Sequence, residues 1–129
     1  MIRVLNNLVA EYLVLKPTKP LPWVRLLELD FQFPYKISNV LSANPNAIYF
    51  LENNPDYINW WFLSANPNAI HILENNIDKV NWDYLSINTH SRAIHILEKN
   101  IDKVDWSNLS SNPSAIDILE QHIDKVEWI

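Results

Sequence analysis

The sequence predicts an all-α protein: an α-solenoid, a superhelical stack of short helix-turn-helix repeats, with a helical N-terminal cap. Three observations predict it. A sequence pattern returns at intervals of 22, 22 and 24 residues through positions 41–129. Within each copy the apolar residues keep helical spacing. Each copy offers only short helices, which are unstable alone in water, so neighbouring copies must share one core.

The first 40 residues lie outside the repeat. Val4, Leu5, Leu8, Val9, Tyr12 and Leu13 share one helical face, and Lys16-Pro17-Thr18-Lys19-Pro20-Leu21-Pro22 must then be a loop. A second helix is expected through Trp23, Leu26, Leu27 and Leu29. Pro34–Val40 reads as a degenerate first helix of the opening repeat, because Lys36-Ile37 echoes Lys79-Val80 and Lys103-Val104. Residues 1–40 are therefore expected to cap the stack, as terminal repeats require.

The four repeats are LSANPNAIYFLENNPDYINWWF (41–62), LSANPNAIHILENNIDKVNWDY (63–84), LSINTHSRAIHILEKNIDKVDWSN (85–108) and LSSNPSAIDILEQHIDKVEWI (109–129). The two extra residues of the third fall within Thr89-His90-Ser91-Arg92. Each repeat reads as two helices. One follows Asn59, Asn81 or Asp105 as N-cap and packs Trp60 with Leu63, Trp82 with Leu85 and Trp106 with Leu109. An earlier start capped by Asp78 or Asp102 fits the letters equally well. The other begins at Asn44-Pro45, Asn66-Pro67 or Asn112-Pro113, a cap followed by proline at the first helical position, and should run for about nine residues. Its core face is Ala47, Ile48, Phe50 and Leu51, with Asn46, Tyr49 and Asn53 opposite. In the second repeat the expected apolar set is Ala69, Ile70, Ile72, Leu73, Ile77, Val80 and Trp82.

Composition narrows the function classes. The chain has 129 residues, 48% hydrophobic and 19% charged, enough for one modest domain with a core and unlike a disordered tail. Its net charge of −5 has the wrong sign for a protein that neutralises phosphates, so no nucleic-acid partner is expected. Cysteine is absent, which excludes disulfides and thiolate metal sites. No run reaches the roughly 18 apolar residues of a membrane span, and Asn6, Asn7 and Glu11 interrupt the apolar core that a signal peptide needs. A soluble, intracellular protein with no membrane partner, not secreted, is the expectation. Glycine is also absent, where average usage of about 7% would give about nine, while asparagine occurs 17 times. Asparagine is thus expected both to cap helix N-termini and to close helices in the left-handed conformation.

Nothing in the sequence converges on catalysis, and no cofactor is called for. Zero glycine excludes a glycine-rich phosphate loop. Glu52, Glu74, Glu98 and Glu120 recur at the repeat period near helix C-termini, where negative charge is unfavourable, so pairing with Lys79, Lys103 and Lys125 or with backbone N–H groups is expected. The ladder Asn44, Asn66, Asn88 and Asn112 reads as capping. His71 and His95 occupy equivalent positions and could face each other, with His90 nearby, but none stand at i, i+4 as a helical zinc site requires. They read as surface histidines, with no metal.

The positions that vary while the core repeats are the candidates for recognition. The outer triplets are Asn46-Tyr49-Asn53, Asn68-His71-Asn75, Arg92-His95-Lys99 and Ser114-Asp117-Gln121, of which only the third is basic. Trp61, Phe62 and Tyr84 stand where the third repeat has Ser107 and Asn108. Aromatics on a repeat surface anchor partner proteins well. The alternative is that Phe62 and Tyr84 complete packing between repeats. At the other end, Val126, Trp128 and Ile129 stand where a further helix would begin, and weak homodimerisation through them is expected unless Trp128 folds back onto Leu119 and Ile123.

The motif LSxNPxAIxxLExNxDKVxW over residues 41–129 resembles the short repeats of many paralogous proteins encoded by giant DNA viruses of amoebae. Thr89-His90 in the third repeat and Pro55-Asp56-Tyr57 in the first depart from it. The resemblance implies a viral protein in the cytoplasm of an infected host cell and carries over no catalytic residue. The expected function is a non-enzymatic scaffold whose rigid row of variable residues binds another protein, viral or host. The alternative is an assembly protein that associates with itself through its last repeat.

Overall fold

The computed structural model describes residues 34–128, with side chains from Ser38 onward. The predicted helices within 1–33, and Ile129, lie outside these residues. Every regular element among the described residues is helical. They fall into two compact units, the first ending at Asn59 and the second beginning at Trp60.

In the first unit, α1 (Pro34–Ala43) packs on α2 (Ile48–Asn53), and 3-10 turns precede and follow α2 at Pro45–Ala47 and Pro55–Tyr57. Asn44 accepts the N–H of Asn46 at 2.9 Å, and Pro45 then opens the turn, so turn and helix together span the nine residues that the spacing predicts. Ala47, Ile48 and Leu51 are buried, and Phe50 packs on Tyr57 at 5.6 Å. The echo of the repeat in α1 is imperfect for a reason of length. Five residues separate Lys36 from Leu41, whereas six separate Lys79 from Leu85 and Lys103 from Leu109. The missing residue removes the break at Val80 and Val104, which are extended, and α1 runs on as one helix.

The second unit alternates α3 (Trp60–Ser64), α4 (Ile70–Asn75), α5 (Trp82–Ser86), α6 (Ser91–Lys99), α7 (Trp106–Ser110) and α8 (Ile116–Gln121). Helix α5 packs against both α3 and α7, and α4 against α6. Leu63, Leu85 and Leu109 have no exposed surface, and each such leucine contributes about 1.5–3 kcal/mol through burial. Of the two helix starts that the letters left open, the structure takes the one capped by Asn81 and Asp105; Asp78 and Asp102 cap nothing there and lie inside 3-10 turns at Ile77–Lys79 and Ile101–Lys103, which an extended valine separates from the helix. In the third repeat the insertion supplies a second cap. Asn88 accepts from the His90 N–H, His90 Nδ1 accepts from the Arg92 N–H, and α6 is one continuous helix.

Three expectations need correction. Asparagine does close the helices, but not in the left-handed conformation: Asn54, Asn76 and Asn100 have φ of −138°, −136° and −129°. Each instead turns its side-chain amide back to the carbonyl four residues earlier, on Phe50, Ile72 and Ile96, at 2.8–3.0 Å. A side-chain donor thus serves the helix-end carbonyls that a glycine motif would serve with backbone N–H groups. Ile77 is 41% exposed rather than core, because it opens a 3-10 turn on the surface. Finally, Lys79, Lys103 and Lys125 lie over the rings of Trp60, Trp82 and Trp106 at 5.1, 4.9 and 5.2 Å, not beside the glutamate ladder. The extended residue between each 3-10 turn and the next helix brings lysine back over the tryptophan of the preceding repeat, a cation–π contact that also shields the indole.

Candidate functional site

Two hydrogen-bond ladders make the framework that holds the surface residues. Ser64, Ser86 and Ser110 each donate their hydroxyl to the carbonyl of Trp60, Trp82 and Trp106 at 2.6–2.8 Å. Each also accepts a backbone N–H from the far end of its own repeat, from Asn81, Asp105 and Glu127 at 3.0–3.1 Å. Ser42 accepts from Asn59 in the same way within the first unit. The asparagine ladder does more than cap. Asn88 Nδ2 donates to the Ser64 carbonyl at 2.9 Å, and Asn112 Nδ2 to those of Ser86 and Asn88 at 2.8 and 3.0 Å. Both asparagines are buried and bonded at each end of the amide, as buried polar groups must be. The sequence held a signal for the serines, since Leu-Ser opens all four repeats.

On this framework the structure brings together Trp61, Phe62 and Tyr84. The Tyr84 ring lies 6.2 Å from Trp61 and 5.8 Å from Phe62, the latter edge to face. Such pairs add about 0.5–1.5 kcal/mol beyond area burial. Both readings of the cluster have a part here. Phe62 and Tyr84 are half-buried between α3 and α5, while Trp61 is 61% exposed. The packed pair fixes the orientation of the exposed indole.

The outer-face candidates are all exposed. His71 stands on α4, and Arg92, His95 and Lys99 on α6. The third triplet is less basic than its letters, because Arg92 forms a two-pronged ion pair with Glu74 of the preceding repeat and His95 Nδ1 lies 3.3 Å from Glu98. Tyr49 stands alone of the candidates on the first unit, 77% exposed. No group of three His, Asp or Glu side chains able to hold a metal occurs among the described residues. No helix among them is long and apolar enough to cross a membrane.

At the end of the second unit, Ile116, Leu119, Ile123, Val126 and Trp128 line an open apolar groove of about 330 Å³. Trp128 edges this groove without closing it, being 79% exposed. His122 packs on Trp106 at 5.4 Å in the place that asparagine occupies in the earlier repeats.

Comparison with protein families, with curated proteins and with solved structures finds no match to this chain.

Proposed function

We propose that this protein is a non-enzymatic α-solenoid scaffold, capped by its N-terminal segment, that binds another protein through the residues that vary between repeats. The observation that carries the reading is the aromatic group of α3 and α5: an exposed Trp61 held by a half-buried Tyr84 and Phe62. A rigid exposed indole loses little ordering entropy on binding and is a common binding hot spot. The serine and asparagine ladders support the stack. The resemblance of the repeats supports an amoebal cell infected by a giant virus as the setting of this binding. The test is affinity capture from host-cell lysate with the native chain and with Trp61→Ala. The expected result is a specific protein retained by the native chain and lost by a variant that keeps the native helical circular-dichroism spectrum. Identical recovery by both overturns the reading.

A second reading is favoured by the exposure of Ile116, Ile123 and Trp128 at 57%, 58% and 79%. It is assembly of the protein through the face of its last repeat. Sedimentation at about 100 µM, far above a micromolar Kd, tests it, and a purely monomeric boundary overturns it.

A further inference from the structure

We infer that His90 makes the start of α6 a proton-sensitive joint: the neutral ring caps the helix, and the protonated ring opens its first turn and loosens the third repeat on the second. The inference goes beyond partner binding and does not depend on the aromatic surface.

In the first, second and fourth repeats the corresponding cap is asparagine. The side-chain oxygens of Asn44, Asn66 and Asn112 accept the N–H two residues on, from Asn46, Asn68 and Ser114. An amide oxygen has no proton to gain in this pH range and accepts that bond throughout it. The insertion in the third repeat moves the helix start past Asn88, which accepts from the His90 N–H, and leaves His90 as the cap of α6. His90 has the extended backbone of a cap, with φ −71° and ψ 134°. Its carbonyl accepts from Ala93 and Ile94, and its Nδ1 accepts the Arg92 N–H at 3.1 Å. A backbone N–H can only donate, so Nδ1 must hold the lone pair and Nε2 the proton.

Protonation reverses each part of this arrangement. Nδ1 becomes a donor facing a donor, and the cap is lost. The imidazolium then stands at the N-terminus of a nine-residue helix, where a cation is unfavourable. The surrounding charges do not offset this. Helix α6 packs on α4, α5 and the turn at Ile101–Lys103. On α4, Glu74 is taken by Arg92, and His71 adds no anion. On α5, Asp83 lies in the first turn, at the end away from the loop that leads to His90, and Tyr84 packs on Trp61 and Phe62. Glu98 and Lys99, with Asp102 and Lys103 beyond them, belong to the other end of α6, about 13 Å along the axis, where Glu98 faces His95. The charge nearest to His90 in sequence is that of Arg92, which is positive. The same first turn carries the buried Ala93 and Ile94 and the ion pair from Arg92 to Glu74 of the second repeat. Opening it therefore weakens that joint.

The experiment compares the full chain with His90→Asn and His90→Ala at about pH 8 and about pH 5, which bracket histidine protonation. Because each comparison is made at one pH, the other histidines contribute equally to both sides. Urea unfolding of His90→Asn is expected to match the native chain at the higher pH and to give a folding constant about fivefold larger at the lower. His90→Ala should fall below the native chain at the higher pH and be at least level with it at the lower. Amide exchange at Ala93 and Ile94 should be faster in the native chain than in His90→Asn at the lower pH and equal at the higher. Nitrogen NMR of the native ring should show the Nε2–H tautomer at the higher pH. A native chain and His90→Asn whose stabilities change in parallel with pH overturn the proposal, as does an Nδ1–H tautomer or equal exchange at the lower pH.

Discussion

The side-chain amide of Asn112 donates to the carbonyl of Ser86 across 2.8 Å, from a residue 26 positions later in the chain. The same amide reaches the carbonyl of Asn88, so one buried side chain ties the fourth repeat to two points of the third. Asn112→Ala is expected to destabilise the protein by about 1–3 kcal/mol, the cost of stranding buried acceptors, and Asn112→Asp, which cannot donate, by at least as much. Gln121→Ala, at an exposed position, should stay within about 0.5 kcal/mol. Urea midpoints of the three variants check this.

Ser86 carries two bonds through one hydroxyl, to Trp82 and from Asp105. Ser86→Ala removes both at a site with no exposed surface, and a loss of about 1–3 kcal/mol is expected. Ser107→Ala, on the exposed side of α7, should be silent. Thermal unfolding followed by circular dichroism distinguishes the pair.

The lysine of each repeat serves tryptophan rather than glutamate. A double-mutant cycle between Lys103 and Trp82, 4.9 Å apart, should therefore give a coupling of about 0.5–1 kcal/mol. The corresponding cycle between Lys103 and Glu98 should give none beyond error. Stability measured for each single and double variant supplies both cycles.

Helix ends supply a prediction of unusual sign. Glycine at a left-handed helix end is stabilising, but Asn100 has φ of −129° and bonds to the Ile96 carbonyl. Asn100→Gly is expected to destabilise by about 1 kcal/mol or more, because it loses that bond and gains chain entropy in the unfolded state without relieving strain. Guanidinium titration of the variant checks the direction.

Much of the architecture was legible because it depends on neighbours in sequence. Proline after asparagine marks the start of the second helices, and the spacing of Ala47, Ile48 and Leu51 marks their buried face, since both follow from local helical geometry. The candidate surface was legible in part. Trp61, Phe62 and Tyr84 were visible as aromatics that break the repeat, but their division into one exposed ring and two packed ones follows from how α3 lies on α5.

By itself the sequence determined the repeat period, the helix positions, the core stripe and the absence of glycine that makes asparagine end the helices. Only the tertiary structure decided which partner each polar side chain takes. Lys103 had Glu98 within reach along the chain, and Asn112 had its own loop to cap. The choice was made by groups brought near from the preceding repeat, where the water-excluded core makes an unbonded serine or asparagine too costly and an indole face shelters a lysine stem.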